Sequence, residues 1–369
     1  MKRLLCIVNS LDTGGAETFL MKLYRDLDKN KYQMDFCSMS SKKGFYDDEV
    51  LAYGGKIFNV PQKTKNPIGY IKGIIKVVKE NNYKYVLRIG DNAITTIDLI
   101  LAKLGGAKIL ALRSTNASAS SKKNLIINKC FKFLSILVPN VKIAPSTEAA
   151  VHTFGKRQVK KGKVIYLNNG IDVDKYIFAS QKKEAIQKEL GLEGKFVVGH
   201  VGRFSHQKNH KFLIDVFEKI VSKKENAHLV CVGTGELQDE IWGIVKSKGL
   251  EKKVSFVGIR SDVPDVLSAF DILLFPSFFE GMPNVVIESQ AAGLHCVISD
   301  TITKEANITG LVEYLPLEKS ADEWADEVLE CSNGYERPSY KDVYDKYGYD
   351  IGSVVRKFTA AIFEKDDKN

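Results

Sequence analysis

Phe275-Pro276-Ser277-Phe278-Phe279-Glu280-Gly281-Met282-Pro283-Asn284-Val285-Val286-Ile287-Glu288-Ser289-Gln290-Ala291-Ala292-Gly293-Leu294-His295-Cys296-Val297-Ile298-Ser299-Asp300 reads as strand, loop, helix, strand. Ile272 to Phe275 is apolar and closed by Pro276 and Ser277, which suits a strand buried in a parallel sheet. Glu280 and Gly281 lie in the loop that follows. Pro283 fits the first turn of a helix, where its missing N–H is no loss, and Gly293 stands where a helix end prefers glycine. Cys296 to Ser299 is the next strand. The helix therefore begins beyond a strand's C-terminal end, and the backbone N–H groups near Met282 to Val285 can receive an anion, phosphate above all. Glu280 lies just before this helix and Glu288 inside it. Carboxylates repel phosphate, so the task predicted for this pair is to accept hydrogen bonds from hydroxyls. A nucleotide-sugar supplies phosphate and hydroxyls together. Taken alone, the same glutamates also fit a blander role, one answering the helix dipole and the other facing solvent.

The chain of 369 residues has room for two domains, each with its own core. Its opening, Met1-Lys2-Arg3-Leu4-Leu5-Cys6-Ile7-Val8, places basic residues before an apolar run that stops at Asn9 without a cleavage-like site. It reads as a strand, not a signal peptide. No apolar segment reaches the roughly 18 residues that a spanning helix needs. Cys6, Cys37, Cys130, Cys231, Cys296 and Cys331 are scattered, without a Cys-x-x-Cys pair, and read as reduced thiols of a cytoplasmic protein with no metal cluster implied. Charge is uneven. Residues 1–170 hold 29 Lys+Arg against 12 Asp+Glu, a net of +17, while residues 171–369 hold 25 against 33, a net of −8. An anionic partner is implied for the basic half, either nucleic acid or an acidic membrane surface.

Taken in order, Lys2 to Ser10 is a strand, and Leu11-Asp12-Thr13-Gly14-Gly15-Ala16-Glu17 leads into a helix, with Gly14 and Gly15 letting the backbone approach a ligand at its N-terminus. Strand-like and helical patches then alternate through Tyr32–Ser38, Lys56–Val60, Ile68–Glu80, Tyr85–Ile89, Thr95–Leu104 and Lys108–Leu112, the mark of a parallel sheet covered by helices. Residues 122–138 form a basic amphipathic pattern: Lys122, Asn124, Asn128, Lys129, Lys132 and Ser135 gather on one side, and Ile126, Ile127, Cys130, Phe131, Phe133, Leu134, Leu137 and Val138 on the other. With Lys123 beside them, these lysines suit either a solvated face of a core-packed helix or docking on a membrane surface. Lys142 to Pro145 is a strand, and Ser146 caps the helix running to Phe154. The domain boundary falls after Asn169-Gly170. Domains are expected at 1–170 and 171–369, with the C-terminal helix able to return to the first. Asp172 and Asp174 form an Asp-x-Asp read as turn and helix-cap residues rather than metal ligands. The second half restarts at Phe196 to His200. Arg203 and Lys208 follow in a strand-to-helix connection beginning at Gly202, one a bidentate donor and one a point charge, both suited to phosphate oxygens. Strands Ala227–Gly233 and Val254–Gly258 come next, the latter followed by Arg260.

Gly14-Gly15-Ala16-Glu17, Asn169-Gly170-Ile171-Asp172, Gly202-Arg203 with Lys208-Asn209, Gly233-Thr234-Gly235, and Pro276-Ser277 with Glu280-Gly281-x-Pro283-x4-Glu288 together resemble the retaining glycosyltransferases of family 4, especially bacterial enzymes of capsular, exopolysaccharide or teichuronic-acid assembly. The resemblance spans nearly the whole chain in the family's order. It implies an α/β protein of the GT-B fold, with two Rossmann-like domains of parallel sheet facing across a cleft, the first taking the acceptor and the second the nucleotide-sugar. By matching position it assigns Arg203 and Lys208 to the donor diphosphate, Glu288 to the ribose and Glu280 to hydroxyls of the donor sugar. The Gly14-Gly15 loop would approach the phosphates, and Gly202, Arg260 and the segment Gly281 to Val285 would line the donor site. The resemblance further implies a metal-independent reaction, with no cofactor.

Relatives of this type often carry histidines in the segment matching Leu110 to Asn116, and here Arg113 and Thr115 stand in their places. Arg113 and Asn116 are therefore acceptor-side candidates, with Arg113 suited to a phosphate of a polyprenyl-diphosphate-linked glycan. The reading that results is transfer from a UDP-sugar to such an acceptor by a peripheral protein at the cytoplasmic membrane face, with no nucleic-acid partner, because the positive charge is dispersed and lacks interleaved aromatic residues. A UDP-sugar 2-epimerase and an inactive partner subunit are the alternatives.

Overall fold

The computed structural model describes residues 1–12, 14–90, 93–115, 131–331 and 336–364. The chain divides into two compact units, Met1–Ile171 with Gly348–Asn369, and Asp172–Tyr347.

The first unit is built on seven strands: β1 (Lys2–Val8), β2 (Tyr32–Ser38), β3 (Ile57–Asn59), β4 (Tyr85–Gly90), β5 (Ile109–Ser114), β6 (Val141–Ala144) and β7 (Ile165–Tyr166). They lie in the order β3-β2-β1-β4-β5-β6-β7, and every neighbouring pair is parallel. Alternation along β1 explains the two layers of core. Leu4, Cys6 and Val8 pack with Phe19, Tyr24, Phe358 and Ile362, whereas Leu5 and Ile7 pack with Tyr70, Ile74 and Leu99 on the other face. Helices therefore cover both faces, as the apolar runs of the strands require.

The last helix, Ile351–Phe363, belongs to this unit. Residues 348–364, which the sequence reading counts within 171–369 with a helix able to return to the first domain, pack with the first unit, because Val354, Phe358, Ile362 and Phe363 complete its core. The chain is tied there by backbone: Ile171 N–H donates to Tyr349 O and Ile351 N–H to Ile171 O, each at 2.9 Å. A Cβ on Gly170 would lie 2.7 Å from Ile351 Cδ1, so the glycine of Asn169-Gly170 is demanded by close approach of the final helix.

The helical segment 131–137 overturns part of the amphipathic reading. Lys132, placed by sequence on a solvated basic face, turns inward: its Nζ donates to Val151 O at 2.9 Å, and Ser135 Oγ donates to Thr153 O at 3.0 Å. Both acceptors lie in the last turn of the helix Thr147–Phe154, where carbonyls lack partners within the helix and attract a cation. Phe131, Phe133 and Leu137 are correspondingly exposed, Leu137 at 75%. Lys122, Lys123 and Lys129 lie outside the described residues. Among the described residues no helix is long and apolar enough to cross a membrane.

The second unit repeats the plan with β8 (Phe196–Val201), β9 (Ala227–Val232), β10 (Val254–Phe256), β11 (Ile272–Phe275), β12 (Cys296–Ser299) and β13 (Val312–Leu315), in the order β10-β9-β8-β11-β12-β13, all parallel. Strand β13, a four-residue edge strand, was not anticipated. Asp174 pairs with Lys341 at 2.7 Å and Asp172 with Lys175 at 3.0 Å, so both carboxylates serve surface ion pairs around the short helix Val173–Tyr176.

Candidate active site

In the second unit the strand order reverses direction between β8 and β11, so the connections leaving these neighbours run to opposite sides and open a crevice at their C-terminal ends. The loop after β8 carries Gly202, Arg203 and Lys208; the loop after β11 carries Glu280. The two loops are stitched together. Phe278 N–H donates to Gln207 O at 2.9 Å, Gln207 Nε2 to Phe279 O at 2.9 Å, and Asn209 Nδ2 to Pro276 O at 3.1 Å. Asn209 holds a left-handed conformation at φ 53° while capping the helix His210–Lys223, a turn that asparagine tolerates better than most residues.

This stitching brings Lys208 and Glu280 together. Lys208 Nζ donates to Glu280 Oε1 at 2.6 Å, with the side chains 17% and 7% exposed, and the ammonium lies 4.4 Å from the centre of the Phe275 ring. Beneath it sit two histidines, His200 and His210, to which the sequence reading gives no role. His200 Nδ1 donates to Leu274 O at 2.9 Å, so Nε2 is left as an acceptor, buried and without a protein partner. Burial, then the neighbouring His210, pushes the His200 pKa well below its ordinary value. His210 stacks on Phe204 at 4.2 Å between centroids, and burial reinforced by Lys208 brings its pKa down to about 4. Both imidazoles are neutral near pH 7, so they leave the positive charge at this place to Lys208. The available signal was a histidine interrupting the apolar run of β8 and another two positions after Lys208. A Cβ on Gly202 would crowd Lys208 Cε at 3.1 Å and His200 Nε2 at 3.2 Å, so glycine keeps the approach open.

Other expected donor-side residues are placed differently. Arg203 is 73% exposed and pairs with Glu236 at 3.1 Å. Arg260 grips Asp262 and also Glu189, at 2.6 and 2.5 Å. With two carboxylates on one guanidinium, Arg260 is charge-compensated within the protein. The helix opened by Pro283 runs Asn284–Ala291, with Pro283 at the N-cap position and Gly293 at φ 64° just past its end. Its first N–H groups, those of Asn284 and Val285, have no acceptor within the helix. Glu288 sits half-buried within it, and burial, then the Glu288 charge, pushes the Tyr176 hydroxyl's pKa well above its ordinary value.

In the first unit the helix Gly15–Asp26 starts at N-cap Gly14, which has no side-chain cap hydrogen bond. The Glu17 carboxylate folds back over Gly14 and fills the position a Cβ would take. Burial pushes its pKa up against the pull of its own backbone N–H and of Arg88. The place expected to receive phosphate at Gly14-Gly15 therefore holds an acidic side chain of the protein itself. Arg113, on β5, is 3% exposed, lies 3.7 Å over the Phe19 ring and donates to Asn169 Oδ1 at 2.5 Å, while its Nε lacks a partner. Burial lowers its pKa to about 9. Arg88 nearby is instead held by the buried Asp98 at 2.9 Å and donates to Asn9 Oδ1, which steadies the end of β1. Asn116 lies outside the described residues.

Two doubly wound units, one with an ammonium–carboxylate pair at its switch point, define an α/β protein with a crevice at the C-terminal ends of its strands. Residues 195–333 match the family Glycosyl transferases group 1. The chain is 29% identical to the putative glycosyltransferase EpsF of Bacillus subtilis, covering 99% of this chain and 98% of that one. It is 27% identical to the UDP-Gal:alpha-D-GlcNAc-diphosphoundecaprenol alpha-1,3-galactosyltransferase of Escherichia coli, over 69% of this chain and 68% of that one. Its fold is similar to that of Anabaena HepE, solved in complex with UDP and glucose, with a TM-score of 0.80, 17% identity and the whole of both chains covered. The protein is a glycosyltransferase of the GT-B fold, and its second unit carries the group 1 domain.

The buried histidines give a pH dependence. His210 takes up its proton near pH 6.5 when unfolded and near pH 4 when folded, so stability is full above pH 6.5 and falls as pH drops from 6.5 to 4. The loss is about 3 kcal/mol for this group. His210→Phe, which keeps the stack on Phe204, is expected to flatten that part of the profile, measured as the urea midpoint of each protein at pH 7 and pH 4.5. Parallel profiles for the two proteins would refute this account.

Proposed function

We propose that the protein is a retaining family 4 glycosyltransferase that moves a sugar from a UDP-sugar to a polyprenyl-diphosphate-linked glycan during surface-polysaccharide assembly at the cytoplasmic membrane face. The observation that carries this reading is the Lys208–Glu280 pair at the switch point of the second unit, 2.6 Å long and largely withdrawn from water. A donor diphosphate competes with Glu280 for the ammonium. Once Lys208 turns to phosphate oxygens, the Glu280 carboxylate is released to accept hydroxyls of the donor sugar. Glu288 takes the ribose hydroxyls, and Arg203 can swing from Glu236 because that pair is exposed and weak. Expulsion of the nucleoside diphosphate from an oxocarbenium-like state leaves charge on the leaving group. Lys208, Arg203 and the N-terminus of the helix Asn284–Ala291 stabilise that charge, and the reading assigns no step to a metal. Retention follows if the acceptor attacks on the face the leaving group departs from, with no protein nucleophile. Uridine as the base is supported by the UDP held by the fold neighbour from Anabaena.

For the acceptor, the Escherichia coli relative's name specifies a diphosphoundecaprenol-linked sugar. Arg113 suits such a diphosphate: it is a buried guanidinium with an unpartnered Nε and burial as the cause of its lowered pKa. An acceptor phosphate would supply the missing negative charge. An anionic membrane surface suits the exposed Phe131, Phe133 and Leu137 together with the basic run Lys156, Arg157, Lys160, Lys161 and Lys163.

Three measurements test this reading. UDP at 100 times its dissociation constant is expected to stabilise the protein by about 2.7 kcal/mol in a thermal-shift panel, with GDP and ADP weaker. Lys208→Ala and Glu288→Ala should each lose tenfold or more in UDP affinity, and a panel with no shift for any nucleotide would contradict the donor assignment. Arg113→Ala is expected to leave UDP affinity intact while lowering kcat/KM for the lipid-linked acceptor about tenfold, and an unimpaired variant removes Arg113 from the acceptor site. Finally, the double change Phe133→Ser with Leu137→Ser should reduce partitioning onto vesicles containing anionic lipid about tenfold, read by cosedimentation. Undiminished partitioning would show that this face does not dock.

A further inference from the structure

Once a donor diphosphate draws the Lys208 ammonium away, the ion pair no longer holds the Glu280 loop. A carboxylate that must then meet sugar hydroxyls gains from being held by something else. Each of the four residues before Glu280 has a backbone group bonded outside the loop. Pro276 O accepts from Asn209 Nδ2 at 3.1 Å, Ser277 O from the hydroxyls of Ser299 and Thr301, and Phe279 O from Gln207 Nε2 at 2.9 Å, while Phe278 N–H donates to Gln207 O at 2.9 Å. The His206 ring also stacks on Phe278, with 4.9 Å between centroids and 22° between planes. Asn209 is diverted to this task. It stands at the N-cap of the helix His210–Lys223, where an asparagine oxygen ordinarily accepts from the first turn, yet its side chain makes no such bond. Its amide reaches the other loop instead. None of these hydrogen bonds involves a charged group, so charge exchange at Lys208 does not itself break them.

We infer that Gln207 and Asn209 are positioning residues for donor-sugar recognition: their side-chain amides fix the Glu280 loop to the Lys208 loop and keep the Glu280 carboxylate in register when the ion pair is broken. This rests on the reading of Glu280 as the ligand of donor-sugar hydroxyls. It goes beyond that reading by giving the two neighbours of Lys208 a part in sugar recognition without contact with the sugar. Gln207→Met keeps the length of the side chain and removes its donor. Asn209→Gly removes the amide and keeps the left-handed backbone.

The test is calorimetric titration of the full chain with UDP and with the tightest-binding of UDP-glucose, UDP-galactose, UDP-N-acetylglucosamine and UDP-N-acetylgalactosamine. The double change Gln207→Met with Asn209→Gly is expected to weaken that UDP-sugar about tenfold and UDP less than about twofold, the retained UDP affinity showing that the unit is folded. Glu280→Ala should weaken the UDP-sugar at least as much. Adding the double change to Glu280→Ala should then cost less than about a further twofold, because the two amides act through Glu280. If the double change weakens both ligands equally, or neither, or costs as much without Glu280 as with it, the positioning role is overturned and the assignment of Glu280 stands. If Glu280→Ala leaves the UDP-sugar affinity unchanged, or none of the four sugars binds the wild type, the reading of Glu280 fails and this inference with it.

Discussion

The second unit depends on a reversal of strand order. Because β8 and β11 are neighbours whose outgoing chains pass to opposite faces, the ends of these strands cannot cover one another, and the loops that follow must make their own contacts. They do so through Gln207, Asn209 and the backbone of Pro276 to Phe279. Lys208 and Glu280 are the ionic end of that arrangement. A largely buried pair of this kind adds little net stability, since desolvation consumes most of the attraction, yet removing one partner alone is costly. Such a pair is well suited to exchange its carboxylate for another anion. The neutral histidines beneath it sharpen the effect, because they fill space around Lys208 without sharing its charge.

The first unit shows the opposite electrostatic state. Buried Arg88 is matched by Asp98 at 2.9 Å, and the half-buried Arg3 by Asp35. Arg113 is the departure: its charge is answered by an amide oxygen and an aromatic face. Both cost less to maintain than a bare buried cation but neutralise nothing. The same economy appears at Glu17, whose carboxylate occupies its own helix N-terminus. Among the described residues, the first unit thus holds a cation without a counter-charge, while the second holds a cation paired with a carboxylate.

Much of the fold was legible. Apolar runs of four to seven residues separated by helical stretches translate directly into parallel strands, and Phe275 to Asp300 was read with its strand limits in place. The errors have physical causes. Strand β13 is short and at a sheet edge, with exposed Glu313 inside it, so periodicity could not mark it. Segment 131–137 obeyed a different demand from its own polarity, because carbonyls at the end of the helix Thr147–Phe154 drew Lys132 and Ser135 inward. The ion pair of Arg260 with Glu189, 71 positions away, was likewise invisible to local reading.

By itself the sequence determined the class, two doubly wound α/β units of parallel strands, and singled out the loops that carry Gly202, Lys208, Glu280 and Glu288. Those features are local, set by side-chain period, glycine tolerance and helix ends. Only the tertiary structure decided which charges meet. Pairing of Lys208 with Glu280, of Arg260 with Glu189 and of Arg113 with Asn169 all join residues far apart in the chain. Electrostatic character depends on distance and burial rather than on order along the backbone, and burial is a property of the folded unit alone.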